Sequence, residues 1–180
     1  MIYLNNLLWI FVLIFAVIGI FRGAAKELLV TIAVLSALFV LSLLEKTQFF
    51  TETLASLEEG MVLFWVRTAI LGLMVLAGYQ TPNSRINFKN QLTTNDKIEK
   101  ATGFIIGALN GFLIFGTLWF YLHAANYPGL ALVSPAEGVI PELNEEAQKF
   151  IEFLPPSWLQ GTVLYVIVAF LLIFIFIMVI

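Results

Sequence analysis

Along this chain the apolar positions fall into long blocks separated by short polar segments. Five blocks, at residues 4–21, 28–44, 61–79, 101–122 and 161–180, are apolar over most or all of their length. At about 1.5 Å of rise per residue, some 20 helical residues cross the roughly 30 Å of hydrocarbon in a bilayer. Two further segments show a helical stripe without the length or apolarity to cross. In 45–60, Phe49, Phe50, Thr53, Leu54 and Leu57 repeat opposite Glu52, Glu58 and Glu59. In 141–154, Leu143, Ala147, Phe150, Ile151 and Leu154 stand against Glu142, Glu145, Glu146, Lys149 and Glu152, and Pro155-Pro156 ends the run. Both read as helices lying at the interface. The predicted fold is all-α: a polytopic membrane helix bundle of about five transmembrane helices plus two amphipathic surface helices.

Composition strengthens this reading. Of the 180 residues, 61% are hydrophobic and 12% charged, against about 25% charged in a soluble domain. Nine Lys and Arg against twelve Asp and Glu leave no basic surface for nucleic acid. The absence of Cys excludes disulfides, thiolate metal sites, iron–sulfur clusters and thiol nucleophiles. His123 is the only His, and no phosphate-cradling glycine motif occurs. The expectation is therefore no enzyme, with no catalytic, cofactor-binding or metal-binding residues. The first apolar block lacks a basic leader, since Arg22 and Lys26 follow it, and is read as a retained helix.

Charge then orients the bundle. One set of loops holds Arg22, Lys26, Arg85, Lys89, Lys97 and Lys100, and the opposite set holds Lys46 and Lys149. Six against two predicts a multi-pass protein with the N-terminus outside and the C-terminus cytoplasmic. The outer loops carry nine acids, Glu45, Glu52, Glu58, Glu59, Glu137, Glu142, Glu145, Glu146 and Glu152, and so sum to −7.

Within the spans a few residues stand out. Gly103, Gly107 and Gly111 repeat every fourth position and form a ridge on which another backbone can approach closely. That ridge serves packing within the chain, self-association or a pore lining. Gly19 and Gly23 repeat the device in the first block. Arg67 and Asn110 are the intramembrane polar residues. Arg67 lies six residues into its span, about 9 Å deep, and an Arg at the bilayer centre costs about 2.5 to 3.5 kcal/mol on insertion scales. It either snorkels outward toward Glu58 or Glu59, or is held by polar groups such as Asn110. Arg22, Lys26 and Glu27 form a topogenic hinge in which Gly23 permits the reversal and Glu27 favours the start of the second helix. Asn95 or Asp96 is the candidate cap of the fourth helix. His123, after Trp119, Phe120 and Tyr121, is an interfacial His. It is chemically able to ligate a haem or pigment but has no other support for doing so. Ser36 and Ser42 lack a nearby base.

Two segments carry a family resemblance. The run from Gly19 through Arg22 and Gly23 to Glu27 resembles the GxxRGxxxE hinge of the CvpA family, the colicin V production proteins of bacterial inner membranes. The run Glu99-Lys100 followed by Gly103, Gly107, Asn110 and Gly111 resembles that family's DRxxGxxxGxxRG entry into its last shared helix. The family's early Asp is replaced by Asn5-Asn6, its Asp-Arg pair by Glu99-Lys100, and its basic residue between glycines by Asn110. The resemblance implies a four-helix region over 1–125, an extracytoplasmic connector with amphipathic helix over 126–160, and an added transmembrane helix over 161–180. It also implies a link to peptide-toxin export or envelope maintenance, with no catalytic residues to carry over. The expected function is association, as a scaffold or accessory subunit of a larger membrane complex. The expected partners are the lipid bilayer and other membrane-protein subunits or a homo-oligomer. The alternative is a small oligomeric channel or exporter.

Overall fold

The computed structural model describes residues 4–54, 60–80, 95–125, 127 and 149–179. Five helices dominate it: α1 (Leu4–Arg22), α2 (Ala24–Leu44), α3 (Met61–Gln80), α4 (Asp96–Ala124) and α5 (Gly161–Val179). No strand occurs among the described residues. Helices α2, α3 and α4 are each long and apolar enough to span a membrane, and Asn6–Arg22 and Gly161–Ile173 form shorter apolar helices. The chain is a helical membrane protein. The helices alternate in direction, so the two ends of the described chain lie at opposite ends of the bundle.

A single residue separates α1 from α2. Gly23 adopts φ +84°, a conformation that side-chain-bearing residues rarely take, and this reverses the chain without a loop. Helix α4 begins where the Asn95 side chain accepts the Lys97 backbone N–H at 3.0 Å, so Asn95 is the cap and Asp96 the first helical residue.

The most extensive packing is between α1 and α4, which run antiparallel. A Cβ on Gly103 would collide with the Gly19 carbonyl, and one on Gly107 with the Phe15 carbonyl. At Gly111 it would lie 2.9 Å from both Val12 Cα and Phe15 Cβ. The glycine ridge is thus occupied by α1 of the same chain, backbone against backbone. Helix α2 lies along α4 and carries α3 on another face. Its residues Val30, Val34, Ala37 and Leu38 form the main core with Leu71, Val75, Leu113 and Ile114.

The first amphipathic segment departs from the expected interfacial helix, and the second keeps its helical stripe where it is described. After Leu44 the chain does not continue as one interfacial helix. It turns at Glu45 and forms a π-helical turn at Phe49–Leu54, and residues 55–59 lie outside the described residues. The wider turn splits the expected apolar stripe, with Phe50 buried against Leu41 and Tyr121 and Phe49 exposed. The segment 141–148 also lies outside the described residues. Its continuation is helical over 149–153 as expected, with Lys149 and Glu152 exposed and Ile151 and Leu154 buried against the bundle. That helix ends before Pro155 and Pro156, as expected, and the two buried prolines open a new helical turn at Pro155–Trp158, where a missing N–H is harmless. Gly116 makes room for this wedge, since a Cβ there would lie 2.7 Å from Pro155 Cδ. Helix α5 then joins the bundle through Leu164 and Val168, packing on α2.

These contacts set a ranking. Gly103→Ala and Gly107→Ala are expected to force α1 away from α4 and lower stability by about 1–3 kcal/mol, the usual cost of overpacking. Gly72→Ala, with nothing within 4 Å of its Cβ, is expected to be neutral or to gain up to about 1 kcal/mol from helix propensity. Thermal unfolding in detergent checks this, and equal effects at the three positions would contradict the packing described.

Candidate functional site

The site forms where the α1–α2 reversal meets α3 and α4. With only Gly23 between the two helices, Glu27 falls in the first turn of α2 and points into the bundle, where it is 0% exposed. A carboxylate so placed needs donors from its neighbours, because neither lipid nor water reaches it. Arg22 Nη1 donates to Glu27 Oε1 at 3.2 Å, closing the hinge as an ion pair. Asn110 Nδ2 donates to Glu27 Oε2 and to the Glu27 carbonyl, each at 2.9 Å. The Tyr79 hydroxyl approaches Oε2 at 3.5 Å from the end of α3.

The cluster closes on itself. Thr31, one turn after Glu27, has a single hydroxyl hydrogen, and its shorter contact, 2.7 Å to Asn110 Oδ1, takes it ahead of the 3.2 Å contact to the Glu27 carbonyl. Asn110 therefore uses both its donors and its acceptor. Arg22 Nη2 donates to the Tyr79 carbonyl at 3.3 Å, and the guanidinium sits 4.2 Å from the Tyr79 ring centroid. Four helices of the chain converge on one carboxylate.

A second, more open clamp occupies the opposite end. Arg67 Nη2 meets Glu45 Oε1 at 2.7 Å, with side chains 18% and 36% exposed, and the guanidinium lies 5.0 Å from the Tyr121 ring centroid. This corrects the expectation for Arg67. Its partner is Glu45 at the end of α2, not Asn110, which sits at the hinge end with Glu27, while Glu58 and Glu59 lie outside the described residues. Six residues into α3, Arg67 has the reach of a long side chain to meet the acid that follows α2.

The other singled-out residues are placed as follows. Lys26 is exposed beside the hinge, and Glu99 presses its carboxylate against Gly23, where a Cβ would lie 2.7 Å from Oε1. His123 Nδ1 lies 3.1 Å from the Tyr127 hydroxyl. The Ser42 hydroxyl bonds back to the Phe39 carbonyl at 2.8 Å. Among the described residues no group of three or more His, Asp or Glu assembles into a metal site. Sequence reasoning missed Thr31 and Tyr79. Thr31 carried a signal, being four residues after Glu27 and hence on its face of the helix. Tyr79 was only the last residue of its apolar block, and nothing local pairs it with Glu27.

The family model described as colicin V production protein matches residues 4–137, which takes in α1 to α4 and stops before α5. No curated protein and no solved structure matches the chain.

The two clamps differ in burial, and their removal should differ in cost. Arg22→Met strands the Glu27 carboxylate and is expected to lose about 3–5 kcal/mol, much of it regained in the Arg22→Met/Glu27→Met pair. Asn110→Leu removes donors from the same acid and is expected to lose about 1–3 kcal/mol. Arg67→Leu, at a part-exposed pair, is expected to lose about 1 kcal/mol or less with insertion intact. Unfolding midpoints of the set in one detergent test the order, and an Arg67→Leu loss exceeding that of Arg22→Met would contradict it.

Proposed function

The chain belongs to the colicin V production protein family, and on that premise we propose that it acts by association, as a scaffold or accessory subunit of a larger membrane complex in secretion, envelope or bioenergetic work. The observation that carries this reading is where the intramembrane polar groups go. Glu27, Arg22, Asn110, Thr31 and Tyr79 all bond to one another across helices of the same chain. Groups so occupied hold a shape; they are not poised to bind or convert a substrate, and the chain is accordingly proposed to be no enzyme. The channel alternative has less support, because Val34, Leu38, Leu71 and Ile114 fill the space between the polar clusters at either end.

What the bundle offers outward is apolar. Helix α3 turns Trp65, Leu73 and Leu76 away from the core, and α5 does the same with Val166, Phe170 and Leu172. These faces suit lipid and the helices of other membrane-protein subunits. The family supports a bacterial inner-membrane location, and the excess of basic residues in the hinge-side loops supports the hinge and C-terminus being cytoplasmic and the N-terminus outside. The family's name supports colicin V production as one setting.

Native mass spectrometry of the tagged chain, extracted from its own membrane in mild detergent, tests the proposal. Other subunits in fixed stoichiometry are the expected result. A lone monomer, or a homo-oligomer that conducts ions in liposomes and loses flux in Asn110→Leu, would overturn it.

A further inference from the structure

A cavity of about 370 Å³ opens at the hinge end, between the α1–α2 reversal and the first turn of α4. Its volume lies in the range of roughly 300–1,000 Å³ typical of small-molecule sites. The wall carries Arg22, Lys26 and Lys100 together with Asp96 and Glu99, three cations and two carboxylates, and so sums to +1. A site for a simple anion would be weakened by two carboxylates, and a site for a metal ion by three cations. Both signs in one space suit a ligand that itself carries both.

The contacts within the wall fix these charges without closing the cavity. Arg22 is held by Glu27 and is 19% exposed. Lys100 pairs with Asp96 at 3.1 Å, yet both side chains stay more than half exposed. Lys26 projects from the first turn of α2 and is exposed. The same cavity is lined by Phe21, which at 84% has the highest exposure of the large hydrophobic residues described. A charged crevice with an apolar rim, at the end of a membrane-embedded helix, lies where headgroups meet acyl chains.

We infer that this cavity seats the headgroup of a phosphoethanolamine-type zwitterionic phospholipid. The phosphodiester is placed against Lys26 and Lys100, the primary ammonium against Asp96 and Glu99, and the acyl chains pass Phe21. A primary ammonium has three N–H donors to give those carboxylates, and a quaternary one has none. The inference is separate from the association reading and survives its failure.

The test is native mass spectrometry of the full chain in mild detergent, with phosphatidylethanolamine, phosphatidylglycerol and phosphatidylcholine supplied in turn. Phosphatidylethanolamine is expected to be retained most. The Lys26→Gln/Lys100→Gln variant is expected to lower that retention about tenfold or more, and Lys46→Gln, at the opposite end, to leave it unchanged. Unfolding midpoints near that of the parent chain show that the variants are folded. Asp96→Asn is expected to erase the preference over phosphatidylglycerol. Water-soluble phosphoethanolamine at millimolar concentration is expected to compete with the lipid, which separates headgroup recognition from acyl-chain adhesion. Retention of phosphatidylglycerol or phosphatidylcholine as strongly as phosphatidylethanolamine overturns the inference. So does an equal loss in Lys46→Gln, or binding of the soluble headgroup without the lipid.

Discussion

An ionised carboxylate with no exposed surface has to be supplied with donors, and inside a membrane bundle only other helices can supply them. Glu27 imposes that requirement here. Arg22 meets it from the end of α1, Asn110 from α4 and Tyr79 from the end of α3. Each donor fixes one helix relative to α2, in direction as well as in distance. The apolar core above the cluster could slide or rotate at modest cost, because methyl groups are interchangeable against lipid. The cluster cannot, because a shift of one residue would leave a buried charge unpaired.

Glycine geometry makes the cluster reachable. The left-handed Gly23 brings Arg22 and Glu27 onto the two sides of one turn. Gly19, Gly103 and Gly107 let α1 and α4 approach until backbone meets backbone. That closeness puts Asn110 at the level of the first turn of α2. Side chains of ordinary size on the ridge would hold α4 too far out for an Asn, one of the shorter polar side chains, to span the gap. The ridge and the buried acid are therefore two parts of one device. The Arg67–Glu45 clamp at the other end, part-exposed and with a single ion pair, trims the bundle without defining it.

Much of this was legible in the sequence. Apolar block lengths located the five helices to within a few residues, and the i, i+4, i+8 spacing marked the ridge. The hinge residues were visible as a group, with Glu27 at the start of the second helix, but nothing marked Glu27 as a buried acid. With six consecutive residues of break between the blocks, nothing local says that only one of them leaves helical geometry. Pairing was the other obscured layer. Arg67 and Asn110 were visible as intramembrane polar residues, yet their partners depend on helix rotation, which block lengths do not encode. The inward fold of Leu154–Pro155 was hidden for a similar reason, since the small residue that admits it, Gly116, lies nearly forty positions earlier.

The central claim is that Asn110 of α4 donates directly to the buried Glu27 carboxylate, at an Nδ2–Oε2 separation of 2.9 Å. Solid-state NMR on chain reconstituted in lipid, with carboxyl-labelled Glu and amide-labelled Asn, measures that contact as a carbon–nitrogen dipolar coupling. A coupling corresponding to about 3–4 Å, as hydrogen-bond geometry requires, that disappears in Asn110→Leu is the expected result. A coupling of that strength that persists unchanged in Asn110→Leu, or none in the parent chain, would contradict it.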